Sequence, residues 1–362
     1  VIFEDSIGLK PIFVKEFNKT IAWDIDLLSG YKYKFLKNYS FNSVGGFFSR
    51  INPSIISTLW NEKPDVVMLH GYSNLSDWIV FFVVKILKVK LIFRGEAVLK
   101  GNENSNGWKQ KLKRFVLPRF LNNCDMVMYS CTGNKDYWKF YGVDENKMLP
   151  MPCAVDNHFY RNERKKHIDK VVNIRNELNI PKDNFGILFS ARFTTRKRPL
   201  DLLQALSIID NSNLTVLFVG DGPERSNMEE YVNNNNNNIN AIFVGFKNQI
   251  EISKYYTISN LNIVISDYDP SPKAMNEAMN FELPIIVTDV IGTSSDLVKN
   301  GKNGFIVKVG DIKTIASKID FLNKNRDVSN QMEKKSLEIV DQWTFEKDAY
   351  WIAKAVEIIM EK

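Results

Sequence analysis

Cysteine and histidine are scarce, with three of each in 362 residues. Cys124, Cys131 and Cys153 are too few to staple a chain of this size, which excludes a disulfide scaffold. No Cys-x-x-Cys or His-x-x-x-His spacing joins them to His70, His158 and His167, so the pattern of a zinc site is missing. Long hydrophobic runs are lacking too. The longest, residues 78–84, is stopped by Asp77 and Lys85, far short of the ~20 residues that cross a bilayer. The chain opens at Val1, in a strand-like Val1-Ile2-Phe3 with no basic stretch ahead of an apolar one, so it is expected to be truncated at its amino end. Strong charge imbalance is absent as well: a net charge of +6 favours acidic ligands or an anionic surface without calling for nucleic acid.

What remains is the make-up of a globular protein, 44% hydrophobic and 25% charged. At roughly 100 to 200 residues per domain, the length predicts two domains with a cleft between them. Short apolar runs rich in β-branched residues alternate with helical patterns, which predicts an α/β fold of parallel sheets covered by helices. In the first half the strands are expected at 65–70, 90–94, 125–130 and 148–151, with helices at 54–62 and 77–87. The charged segment 160–169 breaks the pattern and reads as an interdomain linker or its flank. The alternation then restarts with strands at 186–191, 214–219, 241–244, 262–265, 284–288 and 304–307, a second Rossmann-like sheet. Residues 233–238, all asparagine, read as a solvated loop, and 344–362 as a final helix.

Ligands on such sheets sit beyond the carboxyl ends of the strands, so the residues there carry the functional argument. After strand 262–265 comes Ser266-Asp-Tyr-Asp-Pro-Ser-Pro-Lys-Ala-Met-Asn-Glu277. Ser271 before Pro272 predicts a helix start, with the hydroxyl at the N-cap and proline at the first helical position. The amides of Lys273 and Ala274, with the Lys273 ammonium, then form a seat for a diphosphate. Glu277, about a turn further, suits two adjacent hydroxyls such as those of a ribose, and Asp269 suits a sugar. An ordinary surface helix with an acid near its amino end accounts for the same spacing. After strand 186–191, residues 192–199 (Arg-Phe-Thr-Thr-Arg-Lys-Arg-Pro) hold four cations, of which Arg192 and Lys197 would bracket a diphosphate. A solvated basic turn is the alternative. The Gly220-Asp-Gly-Pro turn permits close ligand approach or is simply a tight turn, and Phe246 either stacks on a base or is a buried ring.

Taken in order, Arg192 with Lys197, Gly220-Asp-Gly-Pro, Val244-Gly-Phe246, the Asp269 to Glu277 segment, Leu283-Pro-Ile-Ile-Val-Thr-Asp289 and Gly301-Lys-Asn-Gly-Phe305 resemble the retaining GT-B glycosyltransferases of the Glu-x7-Glu type, glycosyltransferase family 4. The resemblance implies two Rossmann-like domains facing a central cleft and a last helix crossing back to the first. Domains are accordingly expected at 1–162 (acceptor side), 163–342 (nucleotide-sugar side) and 343–362 (the returning helix). The resemblance further implies a nucleoside-diphosphate-sugar donor as substrate, no cofactor, no metal and no nucleic acid. Arg192 and Lys197 would hold the diphosphate, Lys273 and Ala274 would cap it, and Glu277 would bind the ribose, with Gly220, Phe246 and Ser271 also on the donor side. Asp269 stands where the family has its first glutamate, and Ser271-Pro272 where it usually has Phe-Gly.

The first half resembles the family more loosely. His70 ends a strand and would position the donor sugar or acceptor hydroxyl, while Arg94 and Glu96 at the end of the next strand would orient the acceptor. A histidine satisfied by backbone is the plainer account of His70. The family's first strand and glycine loop have no counterpart, so Val1 to Phe3 is expected to be the second strand. Residues 108–120 interleave five cations with large apolar residues, a pattern that fits a half-buried helix with a solvated basic face and also fits a helix lying on anionic lipid. The function expected from the resemblance is retaining sugar transfer to a glycan or lipid-linked acceptor in cell-envelope polysaccharide synthesis, in the cytoplasm or on the inner face of the membrane. A degenerate nucleotide-sugar-binding or scaffold protein and a sugar-nucleotide epimerase of the same fold are the alternatives. A dinucleotide oxidoreductase is disfavoured, because no Gly-x-Gly-x-x-Gly follows a strand.

Overall fold

The computed structural model describes all residues except 7–8, 10–11, 15–18, 22–27, 42–44, 102, 104, 211–212, 235–238 and 362. The chain divides into two compact units, one of Val1–Ile12, Thr20–Pro152 and Glu346–Lys362, the other of Phe13–Lys19 and Cys153–Phe345.

The first part of the chain holds β1 (Ile2–Phe3), β2 (Ile12–Val14), β3 (Lys19–Ile21) and β4 (Lys34–Phe35); β1 pairs in parallel with β4, and β2 and β3 form a separate two-stranded sheet. Then follow α1 (Ser54–Glu62), β5 (Val66–His70), α2 (Leu75–Ile86), β6 (Lys90–Gly95), α3 (Trp108–Asn122), β7 (Met126–Tyr129), α4 (Thr132–Phe140) and β8 (Met148–Pro150). Strands β5 to β8 form one parallel sheet in sequence order. Their residues are apolar on both faces because helices cover both. On one face Leu91 and Phe93 meet Phe81, Val84 and Phe120 of α2 and α3. On the other, Ile92, Met126 and Met128 meet Ala355 and Ile359 of the last helix, which belongs to this unit although it ends the chain.

The second unit starts with α5 (Asn157–His167) and α6 (Val171–Glu177). The segment 160–169, expected as a linker, is therefore mostly helix. Asp156 caps α5 by accepting from the Phe159 amide at 2.8 Å, and Arg164, Lys165, Lys166 and His167 sit in the last turn, where the helix dipole favours cations. The unit continues as β9 (Phe185–Ser190), α7 (Pro199–Ser207), β10 (Leu214–Val219), α8 (Arg225–Asn234), β11 (Asn240–Gly245), α9 (Gln249–Thr257), β12 (Leu261–Val264), α10 (Lys273–Asn280), β13 (Ile285–Thr288), α11 (Ser294–Leu297) and β14 (Gly304–Val307). Helices α12 (Ile312–Lys324) and α13 (Arg326–Val340) follow, and α14 (Phe345–Met360) closes the chain. Of the asparagine run, Asn233 and Asn234 end α8, and 235–238 lie outside the described residues.

The sheet order is β11-β10-β9-β12-β13-β14, with every pair parallel. The chain moves outward from β9 to β11, returns to the centre and moves outward again from β12 to β14. The connections after β9 and β12 thus leave in opposite directions and open a crevice at the carboxyl ends of those two strands, the switch point at which doubly wound sheets bind ligands.

Candidate functional site

A cavity of about 150 Å³ occupies that switch point. It is lined by Ser190, Ala191, Arg192 and Lys197 from the end of β9 and its loop, by Val264 at the end of β12 and Ile265 just after it, and by Pro272, Lys273 and Ala274 at the start of α10. Segments 192–199 and 266–277 thus meet at the centre of the sheet, because β9 and β12 are neighbours although 70 residues of chain separate them. At about half the smallest volume that holds a drug-sized ligand, the cavity suits a compact group such as a diphosphate.

Several tethers hold the two loops together. The Asp267 amide donates to the Arg196 carbonyl at 2.9 Å, and the Ser266 hydroxyl donates to the same carbonyl at 3.0 Å. The Arg196 guanidinium donates to the Tyr268 carbonyl, and Arg198 reaches Asp267 at 2.7 Å and also pairs with Asp201. Arg198 has φ 49°, a left-handed conformation that costs a residue bearing a Cβ roughly 1–2 kcal/mol. Across the cavity wall the Lys197 ammonium is paired with the Asp269 carboxylate. Arg192 is exposed at the rim.

The helix start differs in detail from the expectation. Pro272 is the N-cap, with φ −68° and ψ 115°, and Lys273 is the first helical residue. The reason lies one turn earlier: the Ser271 amide donates to Asp269 Oδ1 at 3.3 Å, so the serine closes a turn on Asp269 rather than capping the helix. The Ser271 hydroxyl is buried with no hydrogen-bond partner among the described residues. The Met275 amide bonds the Pro272 carbonyl at 3.1 Å, which leaves the amides of Lys273 and Ala274 as the helix's opening donors. The Lys273 ammonium donates to the Ala154 carbonyl at 3.3 Å.

The other end of α10 is anchored by buried amides. Asn280 donates to Asn157 Oδ1 at 2.8 Å, Asn157 donates to the Val340 and Trp343 carbonyls, and Arg164 pairs with Glu282 at 2.7 Å. Glu277 lies on this fixed helix and accepts from the Tyr256 hydroxyl at 2.8 Å, with the Tyr160 hydroxyl as a further partner. Burial pushes the Glu277 carboxyl above the ordinary glutamate range, against the opposing pull of the two hydroxyls and Lys273. These tyrosines were not singled out by the sequence. Tyr160 sits in a segment whose charge disguised a helix, and nothing local to Tyr256 signals that β12 and α10 place a carboxylate beside it.

Gly220 and Gly222 lie outside the cavity lining. Gly220 has φ 140°, and a Cβ on it would lie 1.9 Å from the Ala191 carbonyl oxygen; one on Gly222 would lie 2.4 Å from that of Phe193. The Phe193 amide bonds the Asp221 carbonyl at 2.8 Å, and the Glu224 amide bonds the Phe193 carbonyl at 3.0 Å. The glycines therefore serve close backbone approach, and what they approach is the loop carrying Arg192. Phe246 is half-buried after β11, at the sheet edge and away from the cavity lining.

In the first unit, His70 and Arg94 are paired neighbours at the carboxyl ends of β5 and β6. Arg94 donates to Glu96 Oε1 at 2.9 Å, and His70 Nε2 stands 4.0 Å from the same oxygen. The three residues form one exposed-to-buried cluster in which Glu96 sits between two nitrogen groups. Among the described residues no three His, Cys, Asp or Glu side chains gather as a metal site, and no helix is long and apolar enough to cross a membrane.

Residues 171–338 match the family of glycosyl transferases group 1. The chain is 27% identical over 189 residues to N-acetyl-alpha-D-glucosaminyl L-malate synthase of Bacillus anthracis, a stretch covering 50% of this chain and 49% of that protein. It thus spans about half the length of that curated relative. Among solved structures, HepE of Anabaena in complex with UDP has a TM-score of 0.72 at 16% identity, covering 90% of this chain and 86% of that one. A glycosyltransferase of Rickettsia africae has a TM-score of 0.69 at 20% identity, covering 85% of this chain and 79% of that one. The fold is GT-B: two Rossmann-like α/β units, with the last helix returning to the first.

Proposed function

We propose that the chain is a retaining glycosyltransferase of the Glu-x7-Glu type. It would move a sugar from a nucleoside diphosphate to a hydroxyl of a glycan or lipid-linked acceptor, at the cytoplasmic face of the membrane, in the making of cell-envelope polysaccharide. The observation that carries this reading is the cavity at the switch point, where Arg192, Lys197 and the opening amides of α10 converge on a volume of diphosphate scale. UDP bound to HepE, a protein of the same fold, supports a nucleotide there.

In this reading the bond between the sugar's C1 and the diphosphate oxygen breaks while C1 bonds to the acceptor oxygen. The acceptor proton passes to the departing diphosphate. Negative charge grows on that group, and the cations and amides already aimed at it stabilise the transition state more than the ground state. Attack from the face the diphosphate leaves retains the configuration. Glu277 takes the ribose hydroxyls, Asp269 and Ser271 the sugar side, and Phe246 and the Gly220 turn the base side. The cluster of His70, Arg94 and Glu96 receives the acceptor.

Calorimetry with UDP tests the donor half. A hydrogen bond to a charged group contributes ~1.5–3 kcal/mol, so Arg192→Ala and Lys197→Ala should each weaken binding by about tenfold or more. Wild-type affinity in both variants would sink the reading. One observation favours a second reading: Lys197 is already paired with Asp269, as expected of a nucleotide-sugar-binding protein without turnover. UDP binding with neither transfer nor hydrolysis across a panel of sugar donors would select it.

A further inference from the structure

The first unit carries an apolar surface that stays exposed among the described residues. On α3, Trp108, Leu112 and Phe115 follow one another at i, i+4 and i+7, share one helix face, and are 70%, 53% and 59% exposed. The opposite face, Leu117, Phe120 and Leu121, is the buried one. The helix is thus half-buried, and its solvent-facing side is apolar as well as basic. On α2, Phe82 and Ile86 point outward in the same way, 56% and 75% exposed.

The two helices form one surface. Phe120 of α3 packs on Trp78 and Phe81 of α2, with ring centroids 5.1 and 4.6 Å apart. They follow β5 and β6, adjacent parallel strands, so right-handed crossovers put both on the same side of the sheet. Cations stud this surface. Helix α3 contains five and no acid, and Lys109, Lys111 and Arg119 are exposed beside the apolar residues. The Lys109 ammonium stands 5.7 Å from the Trp108 ring and the Arg119 guanidinium 3.7 Å from that of Phe115. Lys113 turns inward over Tyr137 and Tyr141 instead.

We propose that the outward face of α2 and α3 seats the protein on an anionic lipid bilayer. Trp108, Leu112, Phe115, Phe82 and Ile86 enter the boundary between headgroups and acyl chains, and Lys109, Lys111 and Arg119 meet the lipid phosphates. A second copy of the chain is a poorer occupant, because a self-complementary contact would bring these cations against their own symmetry mates. The inference deepens the reading of a membrane-face transferase and rests on it for its setting, while the surface itself lies wholly in the first unit.

The test is sedimentation of the full chain with vesicles of phosphatidylcholine alone or with one third phosphatidylglycerol. The wild type should bind the anionic vesicles, bind the neutral ones at least about tenfold more weakly, and lose affinity as salt rises. Trp108→Ser with Phe115→Ser, and separately Lys109→Glu with Lys111→Glu, should each cost about tenfold or more, with unchanged thermal melting by circular dichroism. Lys135→Glu with Lys139→Glu on α4, an equal change in net charge, should leave binding unchanged. Equal binding to both vesicles, no binding to either, or an equal loss in the Lys135→Glu with Lys139→Glu variant overturns the proposal. So does a dimer by light scattering that Trp108→Ser disrupts. UDP calorimetry on the same samples separates the two readings: nucleotide binding without vesicle binding sinks this inference alone, and the reverse sinks the transferase reading alone.

Discussion

Lys197 and Asp269 form an ion pair between the loops that follow β9 and β12, with side chains only 12% and 13% exposed. Asp269 is fixed from both sides, since its carboxylate accepts the Ser271 amide at 3.3 Å and its carbonyl accepts the Gly292 amide at 2.9 Å. The lysine proposed to hold a diphosphate is thus positioned by a carboxylate that also neutralises it.

Removing the lysine alone leaves a shielded carboxylate without a countercharge, which costs about 3 kcal/mol. Lys197→Ala should therefore lower the melting midpoint as well as weaken UDP binding. Lys197→Met combined with Asp269→Leu should recover the midpoint, because both charges are gone, while UDP affinity stays low. If the double variant also regains UDP affinity, Lys197 has no role in holding the nucleotide.

Ionised Glu277 can accept hydroxyl donors at both oxygens, whereas the protonated acid turns one of them into a donor, and burial raises its pKa. Nucleotide affinity should accordingly climb as pH rises through that raised pKa, and Glu277→Gln should flatten the profile while leaving pyrophosphate affinity within about twofold. Calorimetry from pH 4.5 to 7.5, with UDP and pyrophosphate side by side, checks both. An equal loss of pyrophosphate and UDP would show that the residue merely supports α10.

Gly220→Ala should destabilise the second unit by on the order of 3 kcal/mol, because the φ of 140° and the 1.9 Å approach to the Ala191 carbonyl leave no room for a methyl group. The loop that yields carries Arg192, so UDP affinity should fall with it. A variant that melts like wild type would mean the backbone there relaxes freely.

Glu4, in the first unit, offers a pH test of stability. Burial, then the neighbouring Asp77, push its carboxyl up to about 7, with Arg50 opposing. The folded state then keeps a proton that the unfolded chain gives up near 4.5. Stability from this group is therefore full below the unfolded pKa and is lost as pH rises toward 7. Glu4→Gln should be more stable than wild type at pH 8 by on the order of 1–2 kcal/mol and equal to it at pH 4. Denaturant midpoints at the two pH values decide; a constant difference would place the effect in packing rather than titration.

The strands were legible because strands covered on both faces are apolar at nearly every position, as in 214–219 and 304–307, where sequence and structure agree to the residue. Segment 160–169 was not, since its apolar face is a single buried Tyr160 flanked by charges that the helix dipole and Glu282 satisfy. The start of α10 was legible to within a residue. Its cap was not, because Asp269, fixed by the fold, draws the Ser271 amide into a turn ahead of the helix, and the Ser271 hydroxyl meets no amide of α10.

Local periodicity and backbone preference suffice for the alternation of strand and helix and for the cations, glycines and acids at strand ends. It took the folded chain to show that β9 and β12 are neighbours, that Lys197 meets Asp269 and Glu277 meets Tyr256, and that Trp108, Leu112 and Phe115 face outward. Those outcomes depend on sheet order and on which helix face finds a partner, and such pairings between distant residues leave no mark in the local pattern.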